Sequence, residues 1–179
     1  MNENLLSVRE IEQQDVELLV NYWTSAEPDY LKSMGVDLDK MPDQQQLVYL
    51  ISAQLHHSYN EKQAYCIIWL IDGKPVGHSN VNKIVFGQEA SMHLHFWNAE
   101  NRHKGAGAQL VKMSLPYFFQ NLQLKTLYCE PYSFNQAPNR MLEKVGFRMV
   151  KEYQTIPGAL SFEQPVKRWE LTYEAFKEL

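Results

Sequence analysis

The apolar residues of this chain recur with two periods, and the order of these patterns predicts a mixed α/β fold. Short runs that alternate apolar and polar side chains, or that are apolar throughout, are typical of strands. Stretches whose apolar side chains recur every three or four residues are typical of helices. The predicted strands are Leu5–Ile11, Tyr65–Ile71, Val76–Phe86, Ala90–Trp97, Thr126–Glu130, Phe147–Ile156 and Val166–Tyr173. The predicted helices begin at Asp15 and Pro42 and otherwise cover Tyr30–Met34, Gly105–Asn121 and Gln136–Lys144.

The connections between these elements predict the order of the sheet. Asp72-Gly73 and Gly87-Gln88 are typical hairpin turns, so the three strands that they join are expected to be antiparallel. A helix separates the next two strands, and such a crossover joins parallel strands. The expected architecture is a mixed, mostly antiparallel sheet with helices on both faces. Pro116 removes a hydrogen bond inside one predicted helix, which must therefore kink there or end and restart.

Composition limits the class of protein. With 179 residues, 45% hydrophobic and 21% charged, the chain suits a single domain with a substantial core. No apolar run approaches the roughly 20 residues that span a bilayer, and the N-terminal sequence lacks the features of a signal peptide. The net charge of −4 argues against a nucleic-acid partner. Cys66 and Cys129 are far apart, which is typical of reduced thiols in a cytoplasmic protein.

The segment MHLHFWNAENRHKGAGAQLV, residues 92–111, carries the clearest chemistry. It changes from a strand to a helix, and Arg102, His103 and Lys104 stand directly before Gly105. A helix N-terminus presents unpaired backbone N–H groups and the positive end of the dipole, and glycine lets an anion approach closely. The segment therefore predicts a phosphate or pyrophosphate site. Its spacing fits neither the phosphate loop GxxxxGK[ST] nor the dinucleotide motif GxGxxG.

A second motif follows the next predicted strand, where residues 135–147 read NQAPNRMLEKVGF. RxxGxG after one strand, followed by N…LEKxGF after the next, resembles the GNAT superfamily of acyl-CoA-dependent N-acyltransferases. The LEKVGF form is similar to the RimJ/RimL-like enzymes and to aminoglycoside 6′-N-acetyltransferases with their siderophore-acylating relatives. The resemblance covers residues 76–153, and the flanking elements fit the family order. It implies a GNAT-like fold and acetyl-CoA as the co-substrate.

The resemblance also implies which residues hold acetyl-CoA. The backbone that starts the helix would bind the pyrophosphate, and the preceding strand end would pair its backbone with the pantetheine arm. An asparagine would contact the pantetheine from the other side. These residues are Phe96, Trp97, Arg102, His103, Lys104, Gly105, Ala106, Gly107, Ala108 and Asn135.

The acids that relatives use to protonate the departing thiolate are replaced in this chain. Leu142 stands where many relatives have a tyrosine, and Pro138 stands where RimL-type relatives have a serine. Another donor must serve if the chain is an enzyme. The alternatives are Tyr128, Tyr132, Tyr153 and water, and the sequence does not distinguish among them.

Three residues are candidates for the base that accepts a proton from the attacking amine. Strand alternation places His93 and His95 on one face together with Trp97, and an unperturbed histidine titrates near pH ~6.5. His93 matches the position of an aspartate base in aminoglycoside acetyltransferases, and Glu130 that of a glutamate base in some ribosomal-protein acetyltransferases. The two histidines lack a third ligand at a recognisable spacing, so no metal site is predicted.

These observations lead to one functional hypothesis and one alternative. The hypothesis is direct transfer of acetyl from acetyl-CoA to a primary amine, on a small molecule or a protein N-terminus, without a covalent intermediate at Cys129. The alternative is a degenerate module that binds acyl-CoA without catalysis, which the missing acids favour. Selectivity for the acceptor is expected in residues 25–63 and 157–165. The resemblance is compatible with a homodimer.

Overall fold

A seven-stranded sheet crosses the molecule in a computed structural model that describes residues 5–98 and 105–179. The strands are β1 (Leu6–Glu10), β2 (Tyr65–Ile71), β3 (Lys74–Val85), β4 (Glu89–Phe96), β5 (Thr126–Cys129), β6 (Arg148–Thr155) and β7 (Gln164–Thr172). Their order across the sheet is β1-β2-β3-β4-β5-β7-β6. Strands β4 and β5 are parallel and the other neighbouring pairs are antiparallel, which confirms the predicted mixed sheet.

Helices cover both faces of the sheet, as predicted. They are α1 (Val16–Ser25), α2 (Pro28–Ser33), α3 (Gln44–Leu55), α4 (Ala106–Pro116), α5 (Gln136–Val145) and α6 (Tyr173–Lys177). On one face, Leu110 of α4 and Leu142 of α5 belong to the same buried cluster as Trp69 of β2. On the other face, Leu19 of α1 and Ile51 of α3 pack in a cluster around β2.

The long helix predicted before β5 ends at Pro116, and a five-residue π turn, Tyr117–Asn121, continues the chain. Proline lacks the N–H that a continuous helix would need, so a change of geometry here is expected. The turn places the adjacent side chains Phe118 and Phe119 in the core. Phe119 stacks on Phe176 of α6, with ring centroids 4.6 Å apart. The sequence did not predict α6, whose first residue, Tyr173, was assigned to the end of the last predicted strand.

Asp15, where the sequence predicts the first helix to begin, is the residue directly before α1, but its carboxylate makes no hydrogen bond to the helix backbone. The buried carboxylate instead accepts two hydrogen bonds from the guanidinium of Arg9 and one, 2.8 Å long, from the backbone N–H of Glu12. The pairing satisfies a charge that would otherwise be buried alone, and it ties β1 to the start of α1.

The pairing between β4 and β5 covers only part of β4. It runs from Glu89 opposite Thr126 to Met92 opposite Cys129, where β5 ends. Strand β4 continues to Phe96 and remains paired with β3 over this length. A gap therefore opens between the carboxyl ends of the two parallel strands.

Gly107, in the first turn of α4, keeps that helix close to the sheet. A Cβ atom at this position would lie 3.0 Å from Met141 Sδ and 3.1 Å from Phe96 Cε2.

We expect Gly107→Val to destabilise the fold by about 1–3 kcal/mol through overpacking, measured by urea denaturation. Lys112→Val, on the exposed side of α4, is the matched control, and its β-branch alone should cost about 0.5 kcal/mol. Equal losses in the two variants would contradict the packing role of Gly107.

Candidate active site

A cavity of about 740 Å³ occupies the gap between β4 and β5. Its volume lies within the range of small-molecule sites, which is roughly 300–1,000 Å³. Residues from both faces of the sheet line it, so the cavity connects the side of α2 with the side of α4 and α5. The lining includes Tyr30, Ser33, Met34, Leu94, His95, Phe96, Gly105, Gly107, Ala108, Tyr132, Phe134, Asn135, Pro138, Arg140 and Lys144.

The N-terminus of α4 opens onto this cavity. Gly105 is the residue before the helix and has a φ of +93°, a conformation that favours glycine, and its position has open space in front of it. Gly107 and Ala108 also line the cavity, whereas the side chain of Ala106 is buried in the core. Unpaired N–H groups at the start of an eleven-residue helix form a good anion site. The predicted phosphate contacts Arg102, His103 and Lys104 lie outside the described residues.

The other residues implied to bind acetyl-CoA lie on β4 and before α5. Phe96 lines the cavity, but Trp97 points to the opposite face, where its Nε1 donates to His78 Nδ1 at 2.9 Å. The backbone N–H of Trp97 donates to the Val76 carbonyl at 3.0 Å, so this N–H is already paired within the sheet. Asn135 lines the cavity, and its side chain makes no capping bond to α5.

The structure separates the two histidines that share a face of β4. His95 lines the cavity, and its Nδ1 lies 3.1 Å from the hydroxyl of Tyr22. His93 is not among the lining residues, and its Nε2 lies 3.1 Å from Asn82 Oδ1. The sequence analysis missed His78 of β3, which stacks on His95 with ring centroids 4.8 Å apart. Counting back from the Gly87-Gln88 hairpin would place residue 78 opposite residue 97. A register shift between Asn82 and Val85 brings His78 opposite His95 instead, so the sequence alone could not have identified this partner.

His78 is buried, His93 and His95 are partly buried, and all three are neutral at pH 7. Loss of hydration lowers the pKa of His78 to about 3 and that of His93 to about 4, and it holds the pKa of His95 well below its usual range. The positive charge of Lys83 lowers the pKa of His93 further, and the negative charge of Glu130 opposes this. A neutral imidazole can accept a hydrogen bond or relay a proton.

Glu130, the third candidate base, lies in a polar network beside the cavity and is not among its lining residues. Its carboxylate accepts hydrogen bonds from Arg168 Nη1 at 3.1 Å and from the hydroxyl of Tyr153. The guanidinium of Arg168 lies over the ring of Tyr128, 3.9 Å from its centroid. Two of the three tyrosines considered as proton donors therefore contact this network, whereas Tyr132 lines the cavity.

Both cysteines are buried and free. Cys129 lies at the end of β5, and burial raises its pKa to about 12. The thiol is therefore protonated at neutral pH and is a poor nucleophile.

In residues 5–98 and 105–179, no three His, Cys, Asp or Glu side chains are grouped to hold a metal ion. No helix in the same two ranges is long and apolar enough to cross a membrane.

Comparison with known families decides what kind of enzyme this site belongs to. The model of the acetyltransferase (GNAT) domain matches residues 6–148. The chain belongs to the GNAT acetyltransferase family. It is an acyl-CoA-dependent N-acetyltransferase with acetyl-CoA as its co-substrate, which confirms the resemblance carried by the two motifs. No curated protein matches the sequence.

Solved structures of acetyltransferases share the fold of this family member. Spermidine N-acetyltransferase from Vibrio cholerae, with CoA and spermine, has a TM-score of 0.77 at 17% identity over 96% of this chain and 98% of that chain. RimL, a ribosomal L7/L12 alpha-N-protein acetyltransferase with coenzyme A, has a TM-score of 0.75 at 12% identity over 95% of each chain. Aminoglycoside acetyltransferase AAC(6')-Ib with coenzyme A has a TM-score of 0.71 at 16% identity over 97% of this chain and 98% of that chain. At these identities the likeness establishes the fold.

The lowered pKa values of these three histidines predict a loss of stability in acid. Each has a lower pKa in the folded chain than the ordinary value near 6.5, so the unfolded chain binds more protons as the pH falls below that value. The free energy of unfolding should then fall by up to about 1.4 kcal/mol per pH unit for each histidine.

Urea denaturation at pH 7 and pH 5 measures this slope. His78→Asn should flatten it, whereas His57→Asn, at an exposed position, should leave it unchanged. A slope that stays the same in His78→Asn would contradict the assignment of a buried neutral histidine at this position.

Proposed function

We propose that this acetyltransferase transfers acetyl from acetyl-CoA directly to a primary amine within a ternary complex. The observation that carries the proposal is the continuous cavity, which joins the N-terminus of α4 to His95 and α2 through the gap in the sheet. The helix terminus suits the pyrophosphate, and the α2 side is open to an acceptor. Both reactants can therefore meet in one cavity. The protonated, buried thiol of Cys129 supports a route without a covalent enzyme intermediate.

His95 is the base that this arrangement favours. The hydroxyl of Tyr22 donates to Met34 Sδ at 3.7 Å, so its oxygen can accept a hydrogen bond from His95 Nδ1. This tautomer leaves His95 Nε2 without a proton and able to accept one from the amine, directly or through water. His93 already has Nε2 engaged with Asn82, and the carboxylate of Glu130 is paired with Arg168.

Tyr132 is the proton donor that the geometry favours, because it lines the cavity while Tyr128 and Tyr153 contact the Glu130 network. The amine nitrogen attacks the thioester carbonyl carbon, the N–C bond forms and the C–S bond breaks. His95 takes a proton from the nitrogen, directly or through water, and Tyr132 donates its own to the departing sulfur. Solvent then restores both groups, so the step is balanced without a further reactant.

The acceptors of the structural neighbours support a chemical class for the acceptor of this chain, without naming one compound. The structural neighbours are named as acetyltransferases of spermidine, of aminoglycosides and of a ribosomal protein α-amino group. All three acceptors carry primary amines. We therefore propose a primary amine as the acceptor of this chain, on a small molecule or at a protein N-terminus.

A thiol-release assay with acetyl-CoA and a panel of primary amines tests this function. We expect amine-dependent release of CoA, with loss of both turnover and CoA binding in Gly105→Glu, which places bulk and negative charge at the anion site. Gly73→Glu, at a distant hairpin glycine that also has a positive φ, is the matched control. Tight acetyl-CoA binding without turnover of any amine would instead favour the non-catalytic binding module.

Separate replacement of His93 and His95 by glutamine tests which of them accepts the proton. His95→Gln should lower kcat by about 10²-fold or more while the KM for acetyl-CoA stays constant, since general-base catalysis contributes this much. His93→Gln should lower kcat by less than about tenfold, since only a supporting contact is lost. The reverse order, measured with one amine under saturating acetyl-CoA, would move the role to His93.

A further inference from the structure

Aromatic and thioether side chains line the part of the cavity that lies toward α2. Tyr30 of α2 and Met34 just after it form one wall. Tyr132 and Phe134, from the segment after β5, line the cavity as well, and their rings meet edge to face with centroids 5.3 Å apart. The side chain of Phe134 is 72% exposed, so it offers apolar area that a bound ligand would cover.

Neutral rings also surround His95, which lines the cavity beside this wall. Its imidazole lies 5.0 Å from the ring of Trp23, 5.6 Å from that of Tyr22 and 4.8 Å from that of His78, measured between centroids. These groups are uncharged at pH 7, because burial lowers the pKa of both histidines. Aromatic faces attract a single ammonium group, and their apolar area suits an apolar carrier.

Charged side chains in the described part of the lining are cations. Arg140 and Lys144 lie one turn apart on α5, on the side of the cavity that faces the N-terminus of α4. They attract phosphate groups and repel additional ammonium groups. A polycation would therefore gain little from this lining, whereas one amino group on an uncharged carrier would meet no repulsion along the α2 wall.

We propose that the acceptor is a monoamine whose amino group is carried on an aromatic or similarly apolar group. The carrier lies against Tyr30, Met34 and Phe134, and the amino group is directed to His95. This inference rests on the proposed function, since it names the acceptor class of the same site.

Two measurements on the same amines separate this inference from the function on which it rests. The probes are 2-phenylethylamine, spermidine and kanamycin. In the thiol-release assay, 2-phenylethylamine should show a kcat/KM about tenfold or more above that of either polycation, as expected when a ring is buried. Calorimetry with protein saturated with CoA should give the same order of affinities. Preference for spermidine or kanamycin in either measurement overturns the inference. Tighter binding of 2-phenylethylamine without any turnover sustains the inference and overturns only the proposed catalysis.

Variants of the wall test the residues assigned to it. Phe134→Ala should fold, because the ring is largely exposed, and should raise the KM for 2-phenylethylamine about tenfold with that for spermidine unchanged. Tyr30→Glu should lower kcat/KM for 2-phenylethylamine and raise it for spermidine. Lys32→Glu, which adds negative charge on the exposed side of α2, is the control and should change neither ratio. Equal effects of Tyr30→Glu and Lys32→Glu would overturn the lining assignment.

Discussion

The site depends on the point at which β5 leaves β4. After Cys129 the chain leaves β4 but stays beside β7: the backbone N–H of Lys167 donates to the Pro131 carbonyl at 3.2 Å, and Tyr132 pairs with Val166 in an isolated bridge. Proline cannot donate a hydrogen bond to a sheet, so Pro131 favours this early end of β5. The last residues of β4 are left with one sheet neighbour, and the cavity occupies the position of the missing strand.

The two faces of β4 at this gap have different chemical surroundings. Phe96 lies on the face of α4, where the helix terminus can hold an anion, and His95 lies on the face of α1, among neutral rings. Burial keeps His95 uncharged at pH 7, so an incoming ammonium meets no like charge on this residue. The hydrogen bond from Trp97 to His78 Nδ1 places the proton of that neighbouring imidazole on Nε2. Hydrogen bonding thus fixes the protonation of His78, and burial keeps His95 neutral.

Local patterns predicted much of the fold, because strand and turn signals are local. The strand Tyr65–Ile71 was predicted to the residue. The alternation along β4 is confirmed as well, since Phe96 packs in the cluster of α4, whereas Trp97 packs in that of α1 and His95 lies against Trp23 of α1. Alternation could not show which of His93 and His95 lines the cavity, since both side chains lie on the same face of β4. The answer depends on where β5 stops, which is a long-range property of the sheet.

The end of α2 is held in place by a segment that is distant in sequence, the loop before β7. Val36 pairs with Ser161, and the amide Nε2 of Gln164 donates to the Gly35 carbonyl at 3.0 Å, so the loop before β7 holds the end of α2. Gly35 has a φ of +87°, and a Cβ atom there would lie 2.1 Å from Gln164 Oε1, so the contact requires glycine. A change of acceptor that moves α2 must therefore also move this loop. Both segments were expected to carry selectivity, and this contact makes them one structural unit.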